Sequence, residues 1–485
     1  MHVLSFARFR LKTFSAIFER MSRRSHSASP PSRSPKRARI EHLNLDSFKD
    51  GVMLAPMVRS GALPTRLFAL KHGATLVWGP EIVDKAMLHA ERVVDRMWKF
   101  ASVAFEKINL LNIAVTGVVS FNGKSRAIWT THPVEKPYLI YQIGSADPEI
   151  AVQAAKMVMN DISGIDLNCG CPKPFSTHAG MGAALLTNPD LLCSILTALR
   201  EAMPPHITVT AKIRFLPDQK DTLKLVERIV NTGISALTVH CRTRNMRDKD
   251  RAMIERLREI VDFVKGMGKD IAVIENGDCL GAEDAKRVRN VTGAHSVMIA
   301  RAAETNPSCF SSTPLVDIDK TLVPAYLRVA KYLDNHWSLT KFCVSQFKAP
   351  IVASTKAEDK RVRETIIKAR SYDDVTEIVG DWTGENDFKE IVETIEARAA
   401  GSLLPSGAAE KVATDASSGT DVQALSRASS VSQIETEVAE EYVTPEGTQN
   451  PEPPGSGAPL ISDRTIPALI SGEDPLTPTP APLST

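Results

Sequence analysis

The chain has no run of about 18 apolar residues anywhere, which excludes a membrane-spanning helix. It has no G-x-x-x-x-G-K-[ST] segment, so a P-loop is excluded. Its nearest approach to a dinucleotide fingerprint, GMGAAL at 180–185, misses the third glycine. Cysteine is sparse: of seven, only Cys169 and Cys171 lie close together, and no C-x-x-C pair occurs. That argues against a structural zinc site and a disulfide framework, and it fits a reducing compartment. No metal is expected. A net charge of +2 selects no partner class, because the charge is unevenly placed.

The first 41 residues are rich in Arg and Lys, with only Glu19 and Glu41 as acids, and residues 401–485 are acidic, Pro/Ser-rich and poor in aromatics. Neither composition can bury a core, so a disordered basic arm (1–45) and a disordered acidic tail (401–485) are expected. Residues 1–22 are basic and amphipathic, as in a mitochondrial transit peptide, and SPKRAR has the make-up of a nuclear localisation patch. A plain basic arm that raises RNA affinity, or a stretch upstream of a start at Met21, fits as well. Cytoplasm, nucleus or both are the expected compartments, with the mitochondrion as the alternative.

Between them, residues 46–312 alternate short apolar runs (52–57, 75–78, 138–143, 165–168, 209–213, 236–240, 272–275, 297–300) with helix-like stretches (63–71, 147–159, 189–202, 222–231, 252–265, 282–289). Continuous Val/Ile/Leu runs suit strands buried on both faces, and the alternation suits parallel βα units. An open doubly wound sheet would alternate too. The (β/α)8 TIM barrel is favoured because nearly every run ends in polar or glycine-containing residues, which a barrel gathers on one rim. Residues 313–400 show helical spacing at 323–333, 339–347 and 362–369, predicting a small helical domain.

The strand ends carry the chemistry. Asn168-Cys169-Gly170-Cys171-Pro172 sets a thiol on a tight loop directly after a buried strand. Two buried structural cysteines are the bland alternative. A free thiol is mostly protonated at neutral pH and can act as an acid. Lys212 and Arg214 end the next strand; His240, Arg242 and Arg244 end the one after, a cation series suited to an anionic cofactor or substrate. Glu275, Asn276, Gly277 and then Ala300, Arg301 follow the last two strands, where barrels commonly capture phosphate. The glycines at 180 and 182 fit either a flexible loop or a mobile lid after the cysteine.

LAPM at 54–57, DLNCGCP at 166–172, AKIR at 211–214, VHCRTR at 239–244, ENGD at 275–278 and MIARA at 298–302 together resemble the tRNA-dihydrouridine synthases in order and spacing. KPFSTHAGMGAALL and DNHWSLTKFC (334–343) resemble the eukaryotic type acting on position 20 of the tRNA D-loop. The resemblance covers about residues 50–350 and implies FMN at the barrel mouth, with NADPH or NADH as reductant. It implies that Pro56, Met57 and Val58 line the isoalloxazine and that Gln142 bonds its edge. Lys212 and His240 would contact the ring, while Asn276, Gly277, Ala300 and Arg301 hold the phosphate end, Glu275 being counted with them. Asn168, Arg214, Arg242 and Arg244 would meet the substrate. Hydride added at C6 of uracil drives charge towards C5 and O4, so a proton is needed at C5, and Cys171 is the implied general acid. Cys169 stands where the family pattern leads one to expect methionine. The target uridine must be turned out of the folded tRNA, and the helical domain around 341–348 is the implied RNA platform. The chain is expected to act as a monomer, away from membranes. Two other functions fit less well: a dihydroorotate-dehydrogenase-like flavin reductase of a small molecule, and a non-catalytic tRNA-binding protein.

Overall fold

The computed structural model describes residues 42–95, 116–247, 249–348, 356–380 and 383–401. The predicted tail beyond Gly401 and most of the predicted N-terminal arm lie outside the described residues.

The chain enters through a 3-10 turn at Leu45–Phe48, whose Asn44 side chain accepts from the backbone N–H of Ser47. Strands β1 (Val52–Leu54) and β2 (Val77–Trp78) begin the main sheet, and β3 (Ile82–Val83) continues it. β4 (Glu91–Val94), β5 (Val119–Asn122) and β6 (Ala127–Thr131) form a separate antiparallel sheet. β7 (Leu139–Gly144), β8 (Gly164–Cys169), β9 (Thr208–Phe215), β10 (Ala236–Thr243), β11 (Ala272–Asn276) and β12 (Ser296–Ile299) complete the main sheet. β1 pairs with both β2 and β12, and β2 pairs with β7, all in parallel, so eight parallel strands close into a barrel.

Two apolar layers hold it. The outward residues, such as Leu54, Val77, Tyr141, Leu167, Ile213, Val239 and Val297, pack under the surrounding helices. The inward residues Met53, Trp78, Ile140, Ala236, Ala272, Ile274 and Met298 fill the barrel, with Phe48 packed among them. Burial of strands on both faces explains their unbroken apolar character, each large side chain contributing roughly 1.5–3 kcal/mol. The helices start where the sequence signals predict: Asp147 caps Pro148–Val158, Asn188 caps Pro189–Ala202 and Asp218 caps Gln219–Asn231. Each cap satisfies a backbone N–H left without a partner in the first helical turn.

The small antiparallel sheet was not anticipated. Asn122 pairs with Ala127, and the connection Gly123–Arg126 closes with a Gly123 N–H to Arg126 O bond of 2.9 Å, while the alternating burial of β5 is the period-two pattern of a strand. A buried ion pair secures it: Arg66 bonds both carboxyl oxygens of Glu135 (2.9 and 2.7 Å), and also donates to Gly61 O and Thr130 O at 2.7 Å each. 

After the barrel come helices Leu322–Tyr332, Trp337–Gln346, Lys356–Lys368, Thr376–Val379 and Gly384–Gly401. They are fastened to the loop after β1 and to the helix Leu63–Lys71 that follows it. Tyr326 and Thr65 hydroxyls lie 2.8 Å apart, the Arg59 guanidinium sits 4.0 Å above the Phe342 ring, and the Cys343 thiol lies beside Arg59 O and Ser60 O. The DNHWSLTKFC segment is thereby explained as an anchor. Asn335 Nδ2 donates to Thr340 Oγ1 (2.7 Å), and the Tyr372 hydroxyl donates to Asn335 O (2.6 Å).

Candidate active site at the barrel mouth

Side chains alternate across a strand. Since Ile140, Ala236, Ile274 and Met298 fill the interior, Gln142, His240, Asn276 and Ala300 share their face and turn inward at the C-terminal rim. On β8 and β9 the same alternation, with Leu167, Cys169, Ala211 and Ile213 in the outer layer, brings Asp166, Asn168, Thr210, Lys212 and Arg214 inward. Gln142, Lys212, His240 and Asn276 are thus brought to one rim, together with Asn168 and the cysteine loop.

A polar network runs beneath this rim. Asp166 is fully buried and accepts from Thr210 Oγ1 (2.6 Å) and Gln142 Nε2 (2.8 Å). Gln142 Oε1 accepts from Asn168 Nδ2 at 3.3 Å. Lys212 Nζ donates to Asn276 Oδ1 (2.9 Å), whose Nδ2 donates to Met298 O (2.8 Å). Burial and then the neighbouring Arg214 pull Lys212 down to about 8, against the pull of Asp166. Burial first, then the cations Lys212, Arg214, Arg242 and Arg301, hold His240 far below its ordinary value. It is therefore a neutral imidazole near neutral pH, with Nε2 placed 3.3 Å from an Arg242 Nη.

The cysteine loop is built by Asn168, whose Oδ1 accepts from the backbone N–H groups of Gly170 (2.9 Å) and Cys171 (3.0 Å). Arg214 Nε donates to Gly170 O (2.7 Å) and clamps the same turn. Cys171 is partly exposed, whereas Cys169 is fully buried in the outer layer. Cys169 ends the strand inside the apolar layer and Cys171 lies on the loop beyond it, within reach of solvent, which separates a structural from a reactive cysteine. Burial and then the Glu81 carboxyl push Cys171 up to about 11, so it is a thiol across the physiological range.

Glu81 was not anticipated. It follows β2, is 8% exposed, and its Oε1 accepts from Ser176 Oγ at 3.0 Å. Only three-dimensional proximity reveals it, because nothing in GPEIVD marks a site.

Three expected residues have different roles. Glu275 alternates with Ile274 and Asn276, so it points outward into the helix layer, where both carboxyl oxygens are buried without partners among the described residues. It is not at the mouth. Arg242 is only 4% exposed; it binds both oxygens of Asp278 (2.6 and 2.7 Å) and Asp250 O (2.7 Å), so it shapes the rim loop from inside and is not presented to a polyanion. Gly277 is required by packing, since a Cβ there would lie 2.8 Å from Ala252 Cβ and 3.1 Å from Cys241 Cβ. Arg301 also pairs with Asp278, which thereby joins the β10, β11 and β12 ends. Arg244 is exposed on the turn after β10 and, with Phe215, Leu216 and Asn245, lines a cavity of about 300 Å³. Pro56 and Met57 are partly exposed after β1, and Val58 is half exposed.

The donor set suits a flavin: amides from Gln142, a cation at Lys212, a neutral His240, and arginines near the β12 end. The RNA platform expected in the helical domain is altered in one respect. Lys341 Nζ donates to Ile367 O and Ala369 O (2.8 Å each), closing the end of helix Lys356–Lys368. Among the described side chains, the exposed cations on that helix are Arg361, Arg363 and Lys368.

Comparison with known proteins gives a consistent result. The dihydrouridine synthase (Dus) family matches residues 53–372. The tRNA-dihydrouridine(20) synthase [NAD(P)+] of Schizosaccharomyces pombe is 42% identical over 359 residues, covering 73% of this chain and 70% of that protein. The Saccharomyces cerevisiae protein of the same name is 40% identical over 316 residues, covering 62% and 77%. The S. cerevisiae tRNA-dihydrouridine(20a/20b) synthase [NAD(P)+] is more distant, at 28% over 256 residues, 53% of this chain and 60% of that one. A barrel rim that presents one clamped thiol beside amides and a cation, in a chain matched over residues 53–372, belongs to the dihydrouridine synthase family.

Proposed function

We propose that this protein reduces the C5–C6 bond of uridine 20 in the D-loop of tRNA, as a flavin-dependent oxidoreductase with NAD(P)H as reductant. The observation that carries the reading is the placement of Cys171. It is the loop thiol that Asn168 and Arg214 clamp at the rim, beside inward-facing Gln142, Lys212 and His240. Its likeness to the two yeast enzymes named for position 20 supports the choice of uridine.

FMN is the flavin we assign. Pro56, Met57 and Val58 would lie along its ring, Gln142, Lys212 and His240 at its polar edges, and Asn276, Ala300 and Arg301 towards its phosphate. The flavin supplies hydride when bound. The chain supplies the rest: Asn168 and Arg214 hold the cysteine loop rigid, and the Cys171 thiol delivers its proton to C5. Lys212 offers positive charge where negative charge develops. It does so while protonated, below about pH 8. Arg244 and the exposed cations of helix Lys356–Lys368 are suited to tRNA phosphates.

The test is to map dihydrouridine in tRNA from a strain lacking the protein, and again after re-expression of wild type or Cys171→Ala. Loss at position 20, restored by wild type alone, is expected. Unchanged tRNA in the deletion strain overturns the reading.

A further inference from the structure

A second titratable group is built into the wall behind Cys171. Glu81 Oε1 is held by Ser176 Oγ at 3.0 Å, while Oε2 is buried with no partner of ordinary hydrogen-bond geometry among the described residues. The Cys171 thiol and the Asn168 amide lie next to it. Two glycines make the space. A Cβ at Gly144 would come 2.7 Å from Glu81 Oε1. One at Gly182 would come 2.4 Å from Ser176 Oγ, 2.7 Å from Cys171 O and 3.1 Å from Cys171 Cβ, at a φ of +58°. Carboxyl, hydroxyl and thiol therefore fill a chamber that the sequence keeps open from two separate segments, QIG at the end of β7 and the GMG loop.

We propose that Glu81 is the proton-supplying partner of Cys171, passing its carboxylic proton to Sγ as Sγ gives its own to the substrate. This deepens the proposed function and rests on it. The step balances as follows. The S–H bond of Cys171 breaks and its proton joins the electron pair left at C5 by hydride addition at C6. The O–H bond of Glu81 breaks and that proton goes to Sγ. The carboxylate regains a proton from solvent after the tRNA leaves.

The electrostatics explain the need. Burial raises Glu81 above the ordinary carboxyl value, favouring the acid form. A thiol raised to about 11 parts with its proton reluctantly, because the thiolate would stand half-buried beside a carboxyl. A neighbouring acid that moves the charge off sulfur in the same event removes that cost. Glu81 thus acts through Cys171, and its role is positioning and supply. Cys171 and Cys169 both feel Glu81, Asp166 reaches Cys169 from the barrel interior, and Lys212, pulled down to about 8, stands at the same rim.

The test uses the full-length flavin-loaded protein as wild type, Glu81→Gln and Ser176→Ala. The first readout is the pH midpoint of Cys171 alkylation by iodoacetamide, read by peptide mass spectrometry in the resting enzyme. Without a carboxyl the midpoint should move down in Glu81→Gln. The second is the single-turnover rate of dihydrouridine formation on an unmodified tRNA transcript by pre-reduced enzyme, across pH. Glu81→Gln should fall at least about tenfold, with tRNA affinity unchanged. Ser176→Ala keeps the acid but removes a bond that favours the carboxylate. The pH at which its rate declines should therefore move up. A wild-type rate and alkylation midpoint in Glu81→Gln overturns the proposal, as does an unmoved profile in Ser176→Ala. If wild type forms no dihydrouridine, the proposed function fails, and the alkylation shift still decides whether Glu81 and Cys171 are coupled.

Discussion

Replacing Asp166 by Asn should make the protein more stable at neutral pH. Asp166 lies under the rim with no exposed surface, and burial raises it from 3.8 to about 6 in spite of bonds from Thr210 and Gln142 and the nearby Lys212. A shift of roughly 2 units corresponds to about 3 kcal/mol against the carboxylate in the folded state. The sign follows from proton counts. Between about pH 4 and pH 6 the folded protein keeps a proton that the unfolded chain has released, so stability falls as pH rises through that window and is then level. Asparagine preserves the geometry: its carbonyl accepts from Gln142 Nε2, and its amide donates to the Thr210 hydroxyl, which can accept. Urea unfolding followed by tryptophan fluorescence should be run on both proteins from pH 4 to 8. Their difference cancels the other carboxylates. It should open by about 3 kcal/mol in favour of Asp166→Asn as pH rises through the window. A pH-independent difference refutes the reasoning. A difference of the opposite sign means that Lys212 stabilises the carboxylate by more than burial costs. The variant carries a functional corollary. Asp166 helps to hold Lys212 up, so its removal should lower the pH at which Lys212 loses its proton.

Other outcomes follow from the same geometry. Glu135→Ala leaves the buried Arg66 guanidinium unpaired and should cost about 3–5 kcal/mol, whereas Arg66→Met with Glu135→Leu should recover much of that; thermal melts of all three check it. Cys171→Ala should retain flavin and tRNA binding and lose proton delivery by roughly 100-fold or more in single turnover, while Cys169→Ala, altering the outer layer, should keep its rate. Apart from the decline set by Glu81, wild-type transfer should fall further above about pH 8 as Lys212 is neutralised, and Lys212→Met should lack that step and be slow at every pH; a rate profile over pH 6–10 decides.

The legible parts of this molecule were those where local chemistry and tertiary position coincide. Runs such as 165–168 and 209–213 announced buried strands because the barrel buries both of their faces, and ring closure brought their ends together. Cys171 was legible because its loop is made by its own motif, with Asn168 three residues away. The hairpin of β5 and β6 is hard to read in the sequence because its strands are short and of period two, set between longer apolar runs of the βα pattern. Glu275 is hard to place for a different reason. It shares the ENGD motif with residues at the mouth, but strand alternation turns it outward.

Charges were the least legible. Arg242 and Lys341 invite assignment to phosphate, and the fold ties them to Asp278 and to helix-end carbonyls. A sequence shows a cation but not its partner; Asp250 and Ile367 are near neither in register nor in any motif with the residues they hold. Glu81 is the converse case, a single acid with no motif, whose meaning comes from Gly144 and Gly182 leaving room around it. A family motif thus identifies the atom that reacts, while the groups that govern its proton come from distant segments. A chamber lined by 81, 144, 176 and 182 can change between relatives while DLNCGCP stays fixed, and proton delivery should then differ among enzymes with the same cysteine loop.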